Sequence, residues 1–181
     1  MSESKNTKWV RLGDYIEVFD KRNTDGKPLL FYGINKDKTF MPTVADTNEL
    51  DNSKYKVVDK GVFVFSGMQT GRDVCIRIAL FDEENPVIIS PAYTTFKIKD
   101  TTELLPEFLF LQFNREESDR YGWFLSDGSI RSNLDWERFC DIEIPLPDIE
   151  VQRELVATYN GLKALAEQNE ALLPRLSAAC H

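Results

Sequence analysis

The sequence predicts an α+β protein with a mixed, mainly antiparallel twisted sheet, packed helices and a long C-terminal helix of the coiled-coil type. Two observations predict this fold. Short runs of β-branched and aromatic residues alternate with turn residues through the middle of the chain, too closely spaced for βαβ units. Apolar residues then recur at heptad spacing toward the C-terminus.

Length and composition indicate what class of protein this is and which kinds of site it lacks. The chain has 181 residues, 42% hydrophobic and 12% aromatic, which suits one domain with an appendage. No apolar run is long enough to span a membrane, and the N-terminus has no apolar signal region, so we expect a cytoplasmic protein. The three cysteines form no CxxC pair and are expected to be reduced. The single histidine, His181, excludes histidine-based triads and zinc motifs. We expect no metal and no cofactor.

The first hundred residues predict short strands joined by polar loops. Residues 8–19 indicate a short strand and a helical turn, residues 20–28 a loop, and residues 29–34 a buried strand. The charged loop at 35–39 carries Lys36 and Lys38, which can contact phosphates; the alternative is an ordinary solvated loop. Residues 42–53 are polar without periodicity. Further strands are predicted at 57–58, 62–65, 74–81, 87–89 and 93–98.

Two later loops carry side chains suited to reading bases. The segment SGMQTGRD (residues 66–73) places Gln69, Thr70 and Arg72 between glycines; glutamine pairs with adenine and arginine with guanine in the major groove. It lacks the Gly-Lys-Ser/Thr ending of a phosphate-binding P-loop. An ordinary hairpin loop is the alternative. The segment 127–134 carries Ser129 and Arg131, where the arginine either reaches DNA or is clamped by a neighbouring aspartate.

Helices and one strand frame the second loop. Residues 106–113 begin a helix at a proline and are expected to continue it through residue 120. Ser132 or Asn133 is expected to cap a short helix through residue 139. A strand at 141–147 ends at two prolines, and a helix opens at Asp148. We therefore divide the chain into a domain at 1–147 and a C-terminal helix at 148–181.

The C-terminal helix predicts association. A third apolar column, at Val151, Thr158, Leu165 and Leu172, lies beside the two columns of the heptad seam and makes the face too wide for one partner helix. Pro174 is expected to break or kink the helix. An apolar face this wide is expected to bind a second copy or another subunit, with folding back on its own domain as the alternative. The seam residues are Leu155, Tyr159, Leu162, Ala166, Asn169, Leu173 and Leu176.

Several motifs together resemble a known family. The segments WVRLGD (residues 9–14), KGVFVFSG (60–67), GSIRSNL (128–134), IEIPLP (142–147) and QREL (152–155) occur in the order found in target recognition domains. These domains belong to the specificity (S) subunits of type I restriction–modification systems. The match departs at Val151, where an acidic residue is usual, and after Gly61, where aspartate is missing. A full S subunit resembles this chain repeated twice.

The resemblance implies a non-catalytic DNA-recognition subunit that reads a half-site. It implies double-stranded DNA and methyltransferase (M) subunits as partners, leaves open whether restriction (R) subunits join, and suggests a homodimer through the helix, with no membrane. Methyltransferase, Walker A and nuclease motifs are absent. The formal charge of −8 predicts weak DNA binding without a basic partner. The alternative is an interaction protein that displaces a full S subunit without DNA specificity of its own.

Overall fold

A computed structural model of the chain describes residues 7–43 and 50–179, with side chains as far as residue 172. The described residues form ten β-strands and six α-helices in the predicted α+β arrangement. The strands are β1 (Lys8–Arg11), β2 (Ile16–Val18), β3 (Phe31–Ile34), β4 (Phe40–Pro42), β5 (Lys56–Val58), β6 (Phe63–Ser66), β7 (Arg77–Leu80), β8 (Val87–Ile89), β9 (Thr94–Ile98) and β10 (Glu143–Leu146). The helices are α1 (Leu12–Tyr15), α2 (Thr70–Asp73), α3 (Pro106–Phe113), α4 (Glu116–Leu125), α5 (Trp136–Cys140) and α6 (Ile149–Ala179).

The strands form three sheets. One is antiparallel with the order β2-β9-β6-β7, and the second has the order β4-β3-β8-β5. The third is a ribbon in which β1 pairs antiparallel with β10, so the first strand lies beside the strand that precedes α6. Among the described pairs only β3 and β8 run parallel, which confirms the mixed, mainly antiparallel prediction.

Strand β6 lies at the centre of the domain because both of its faces are apolar. Phe63 and Phe65 point into a core with the helices, while Val64 points the other way, into a core shared with the second sheet. This alternation follows from the two-residue period of a strand. Phe139 of α5 stacks on Phe65 with ring centroids 4.2 Å apart, which fixes the segment that precedes α5 against the sheet.

A buried glutamine anchors the base of α6. Gln152 is fully buried; its amide nitrogen donates to the carbonyls of Glu103 (2.8 Å) and Pro147 (2.9 Å), and its Oε1 accepts from the backbone N–H of Leu105 (2.9 Å). Val156 packs half-buried against the same core. Beyond it, all side chains of residues 157–172 are exposed. No described helix is both long and apolar enough to cross a membrane.

We expect Gln152→Ala to lower the free energy of unfolding by about 1–3 kcal/mol, because one buried N–H and two carbonyls lose their partner. Gln168→Ala is the matched control, since Gln168 is exposed on the same helix. Urea unfolding of the two variants measures the difference. Equal midpoints for both would show that the amide does not anchor α6.

Two predicted helix boundaries are wrong. The helix expected to run through residue 120 ends at Phe113, and α4 starts separately at Glu116. The carbonyl of Phe113 accepts a hydrogen bond from Nζ of Lys38, so a side chain from a distant loop replaces the next helical turn. Helix α5 is capped by Asp135, which accepts from the N–H of Arg138, and not by Ser132 or Asn133.

Three further expectations are corrected. The strand predicted at 29–34 begins at Phe31, and Leu30 is exposed. The strand predicted at 74–81 begins at Arg77 because residues 70–73 form α2. Helix α6 is continuous from Ile149 to Ala179, so no break occurs at Pro174, while a kink there stays a prediction. A proline removes a single backbone hydrogen bond, and the neighbouring bonds keep the helix continuous.

Candidate functional site

Three loops meet on one side of the domain and form what we call the three-loop surface. Loop A (residues 35–39) joins β3 to β4, loop B (residues 67–76) joins β6 to β7, and loop C (residues 126–134) follows α4. Loops B and C are bonded directly. The N–H of Gly71 donates to the carbonyl of Ser132 (2.9 Å), that of Leu134 to the carbonyl of Gly67 (2.8 Å), and that of Gln69 to the side-chain oxygen of Asn133 (3.1 Å).

Loop A is held by an ion pair with α4 and by a hydrogen bond from loop B. Lys38 is 6% exposed, and its Nζ lies 2.8 Å from the carboxylate of Asp119, which also accepts from the N–H of Ile76. The thiol of Cys75 donates to the carbonyl of Lys36. Breaking a buried ion pair of this kind typically costs about 3–5 kcal/mol. The expectation that Lys38 contacts phosphate is therefore wrong, because its ammonium group is buried inside the domain and paired.

Two glycines permit the close contact of loops B and C. A Cβ built on Gly67 would lie 1.7 Å from the carbonyl oxygen of Leu134, and one on Gly71 would lie 2.6 Å from Cβ of Ser132. No side chain fits at either position while the loops stay bonded. Gly128 on loop C has nothing within 4 Å of the same position.

We expect Gly67→Ala to separate loops B and C and to lower the free energy of unfolding by at least about 1–3 kcal/mol, the usual cost of overpacking. The cost is high here because the clash is with backbone. Gly128→Ala is the matched control and should unfold at the same temperature as the unmodified chain. Thermal unfolding followed by circular dichroism compares the three proteins. An unchanged melting temperature for Gly67→Ala would contradict this loop packing.

Loop C is ordered by its own side chains. The carboxylate of Asp127 accepts from the hydroxyl of Ser129 (2.5 Å) and from the N–H groups of Ser129 and Asn133 (both 3.1 Å). The Ser129 hydroxyl bond, together with these backbone bonds, holds the pKa of Asp127 below its usual value. Ser129, predicted as a DNA contact, thus has a hydroxyl already engaged in holding the loop.

Arg131 projects from this ordered loop. It is exposed, and among the residues that the structure describes it has no ion pair and no side-chain hydrogen bond. The predicted clamp by Asp127 or Asp135 does not form, since Asp127 bonds within loop C and Asp135 pairs with Arg138. Its guanidinium group is therefore available to a ligand.

Loop B presents a joined pair of polar side chains. Nη2 of Arg72 donates to Oε1 of Gln69 at 2.6 Å, which leaves the Gln69 amide nitrogen directed away from that bond. Thr70 is fully buried and its hydroxyl donates to the carbonyl of Gly67. The expectation that Thr70 contacts DNA is therefore wrong; Thr70 closes the turn that carries Gln69 and Arg72.

A buried carboxylate gathers cations beneath loop B. The side chain of Asp73 is 5% exposed and pairs with Arg77, with Lys36 at 3.3 Å and with Arg72 at 3.4 Å. Burial raises its pKa, but the bonds from Arg77 and Lys36 outweigh this and leave the pKa below its ordinary value. The contribution of the ionised Asp73 to folding stability is therefore fully present above the pKa of this residue in the unfolded chain. It is lost only as the pH falls through the lowered pKa of Asp73 in the folded chain. Three cations around one carboxylate leave local positive charge.

Backbone strain concentrates in the same loops. In the described part of the chain, four non-glycine residues have positive φ, and all of them lie in loops A, B and C: Lys38 (60°), Gln69 (62°), Val74 (49°) and Ser132 (48°). Each such residue costs on the order of 1–3 kcal/mol and persists only where surrounding contacts hold it. Strain of this kind gathers at functional sites, which supports the assignment of the three-loop surface as the site.

Reasoning from the sequence missed several residues that build this surface. Asp119 has no local signal, because its partner Lys38 is 81 residues away. Asp73 and Arg77 pair only four residues apart, but the burial of the Asp73 carboxylate has no local signal. The Asp-x-Ser spacing of Asp127 and Ser129 is typical of an Asx turn and is the signal that predicts the order of loop C.

The predicted association face of α6 is open. Leu155, Tyr159, Leu162, Ala166 and Asn169 are exposed. The column beside them is also exposed where it is apolar, at Val151, Leu165 and Leu172. The side chains of Leu173 and Leu176 lie outside the part that the structure describes.

Comparison with known proteins adds an independent finding. A family model described as the type I restriction modification DNA specificity domain matches residues 4–173. The HsdS subunit from Thermoanaerobacter tengcongensis is similar in structure, with a TM-score of 0.69 and 21% identity over 93% of this chain. The S subunit of a type I restriction-modification system from M. genitalium gives a TM-score of 0.60 and 13% identity over 95%.

A third structure, from work on complex assembly and conformational transition of the type I R-M system, gives a TM-score of 0.54 and 18% identity over 97% of this chain. The chain spans 45%, 43% and 45% of the lengths of these three proteins, in the order given. No curated protein sequence matches the chain significantly.

Proposed function

The chain belongs to the family of type I restriction modification DNA specificity domains, and from this premise we propose that it is a DNA sequence-recognition subunit. The observation that carries the proposal is the three-loop surface. This surface has exposed arginine and amide groups and local positive charge, although the chain as a whole is acidic. Its backbone includes residues with positive φ that the surrounding contacts hold in place. Base edges in the major groove are read by such arginine and glutamine side chains.

The proposed contacts differ from the first expectation in three residues, Lys38, Thr70 and Ser129. Gln69, Arg72 and Arg131 are the base-reading candidates. Lys36 is the phosphate candidate, because its side chain is 58% exposed although it pairs with Asp73. Ser129 supports the loop and lies beside the contact. Lys38 and Thr70 are removed from the set because both are buried.

Two copies of the chain would supply a complete recognition unit. The chain spans less than half of the similar S subunits, and its exposed helix face carries several large apolar side chains. Each such side chain gains about 1.5–3 kcal/mol when fully buried. Pairing of two α6 helices about a two-fold axis buries this face and presents two identical domains to a bipartite, palindromic site.

The width of the helix face leaves room for a second kind of partner. One column beside the seam, at Val151, Leu165 and Leu172, is also exposed and apolar, so a methyltransferase subunit can pack beside the paired helices. The formal charge of −8 opposes binding of the chain to DNA phosphates. A basic partner subunit would supply the cationic groups that contact these phosphates. Whether restriction subunits also join is left open by these features.

The domain boundary at residue 147 is proposed with one refinement. Strand β10 ends at Leu146 and α6 begins at Ile149, which agrees with a division at 1–147 and 148–181. In packing terms, however, the first two turns of α6 belong to the domain, since Gln152 and Val156 are part of its interior. We propose a cytoplasmic location, which the proposed DNA ligand and the free thiols of Cys75 and Cys140 support.

We expect the purified chain, mixed with S-adenosylmethionine and DNA, to transfer no methyl groups. Methylation should appear when a methyltransferase subunit is added, and that subunit without the chain should remain inactive on specific sites. Incorporation of labelled methyl groups and mapping of the modified bases measure both. Site-specific methylation by the chain alone would refute a recognition role without catalysis. Assembly with the subunit but no DNA binding would favour the alternative, an interaction protein that displaces a full S subunit.

A further inference from the structure

The tip of loop C carries an apolar side chain where a solvent-exposed turn normally has none. The carbonyl of Ser129 accepts from the N–H of Ser132 at 3.0 Å, so Ile130 and Arg131 are the two central residues of a β-turn. Central turn positions favour glycine, proline, asparagine and aspartate. Ile130 is 101% exposed, more than any other large apolar side chain in the described part of the chain.

The hydrogen bonds of the rest of loop C keep Ile130 exposed to solvent. Asp127 bonds to the backbone on both sides of the turn, and the N–H of Ser132 is also close to the hydroxyl of Ser129 (3.3 Å). The loop in turn bonds to loop B through Gly71. A tip anchored at so many points cannot turn Ile130 into the core. Sequences break local rules of this kind mainly at functional positions.

We propose that Ile130 is a specificity-determining residue that packs against the 5-methyl group of a thymine in the major groove. This inference rests on the proposed DNA-recognition function. The thymine methyl is the one apolar group that the four base pairs present in that groove. Arg131, beside Ile130 on the same turn, supplies hydrogen-bond donors for a neighbouring base or phosphate. The pair would thus read one apolar and one polar feature of adjacent positions.

DNA is favoured over a protein partner by the surroundings of Ile130. Ile130 is the one apolar side chain of its turn, and the adjacent Arg131 has no carboxylate partner among the described residues, whereas protein interfaces bury clusters of apolar side chains. The long apolar face suited to protein contact is on α6, which is a separate element, although Met68, Val74 and Phe124 near the loops are also exposed.

The test uses the complex of the chain with its methyltransferase subunit and the site found by mapping methylated bases. Each thymine of that site is replaced in turn by uracil, which removes only the methyl group. One replacement should weaken binding by the unmodified complex about fourfold, the factor expected for one buried methyl group. With Ile130→Ala the same replacement should have no effect, and the mapped motif should lose its preference for thymine at that position.

Val18→Ala is the control, because Val18 is an exposed apolar residue of β2 outside the three-loop surface; it should retain the uracil effect. An Ile130→Ala complex with an unchanged motif and an unchanged uracil effect would overturn the proposal. Loss of subunit assembly in Ile130→Ala would assign the residue to a protein contact and also overturn it. If the unmodified complex shows no sequence preference, the proposed function itself fails, and that outcome is distinct from the others.

Discussion

The double substitution Leu155→Asp and Leu162→Asp should leave a folded, solitary domain that no longer supports methylation. Both side chains are exposed on the free chain and lie one heptad apart on α6, so neither contributes to the core of the domain. Burial of two leucines contributes roughly 3–6 kcal/mol to association, and each unpaired aspartate adds a desolvation penalty. Association should therefore weaken by at least about a hundredfold.

The control for this prediction is Ala157→Asp with Ala164→Asp. These residues have the same heptad spacing and are exposed on the opposite side of the helix from the seam. They add the same charge without facing the proposed partner. Sedimentation velocity with and without the methyltransferase subunit measures association, circular dichroism measures folding, and methyl incorporation measures function. If the unmodified chain sediments as a monomer at micromolar concentration, and adding the subunit leaves it unchanged, the helix does not mediate assembly.

Removal of Arg72 or Arg131 should be the most damaging single change to DNA recognition. We expect Arg72→Ala and Arg131→Ala each to weaken specific binding of the assembled complex by about 1–3 kcal/mol if the arginine contacts a base bidentately. A base contact also relaxes the motif at one position. A phosphate contact instead weakens binding on all sequences and reduces the salt slope by about one.

The two arginines are predicted to differ in one respect. Arg72 is bonded to Gln69, so its removal frees the glutamine amide and disturbs a second reading group. Arg131 has no such neighbour among the described side chains, so its loss should be confined to its own contact. Lys60→Ala is the control, since Lys60 is an exposed cation paired with Glu84 outside the three loops. Binding curves at several salt concentrations distinguish a base contact from a phosphate contact. If both arginine variants bind DNA as tightly as the unmodified complex does, loops B and C have only a structural role.

Local patterns in the sequence determined a large part of this protein. The alternating and continuous apolar runs around β6 predicted the strands of a mainly antiparallel sheet. In a strand, successive side chains point to opposite faces, so the sequence shows whether one face or both are apolar and buried. The heptad spacing predicted α6 in the same way. The order of short motifs along the chain was enough to indicate the family, which the family match over residues 4–173 confirms.

The assembly of the site was decided by tertiary structure. Lys38 and Lys36 are two residues apart in a polar loop, yet one is buried against Asp119 and the other is largely exposed. Thr70 and Arg72 are two residues apart in loop B, yet Thr70 is buried and closes a turn, while Arg72 is exposed. A local pattern cannot distinguish these cases, because the partner of each buried polar group comes from a distant part of the chain.

The same cause explains the misplaced helix boundaries. At the end of α3, the carbonyl of Phe113 accepts a hydrogen bond from Lys38, which is 75 residues away. The side chain of Asn133 bonds to loop B, 64 residues away, and is therefore not available to cap α5. Asp135 caps α5 instead. Spacing within a segment sets which elements form and which of their faces are apolar. Long-range hydrogen bonds to buried polar groups, which are costly to leave unmade, set where those elements end and which side chains remain exposed.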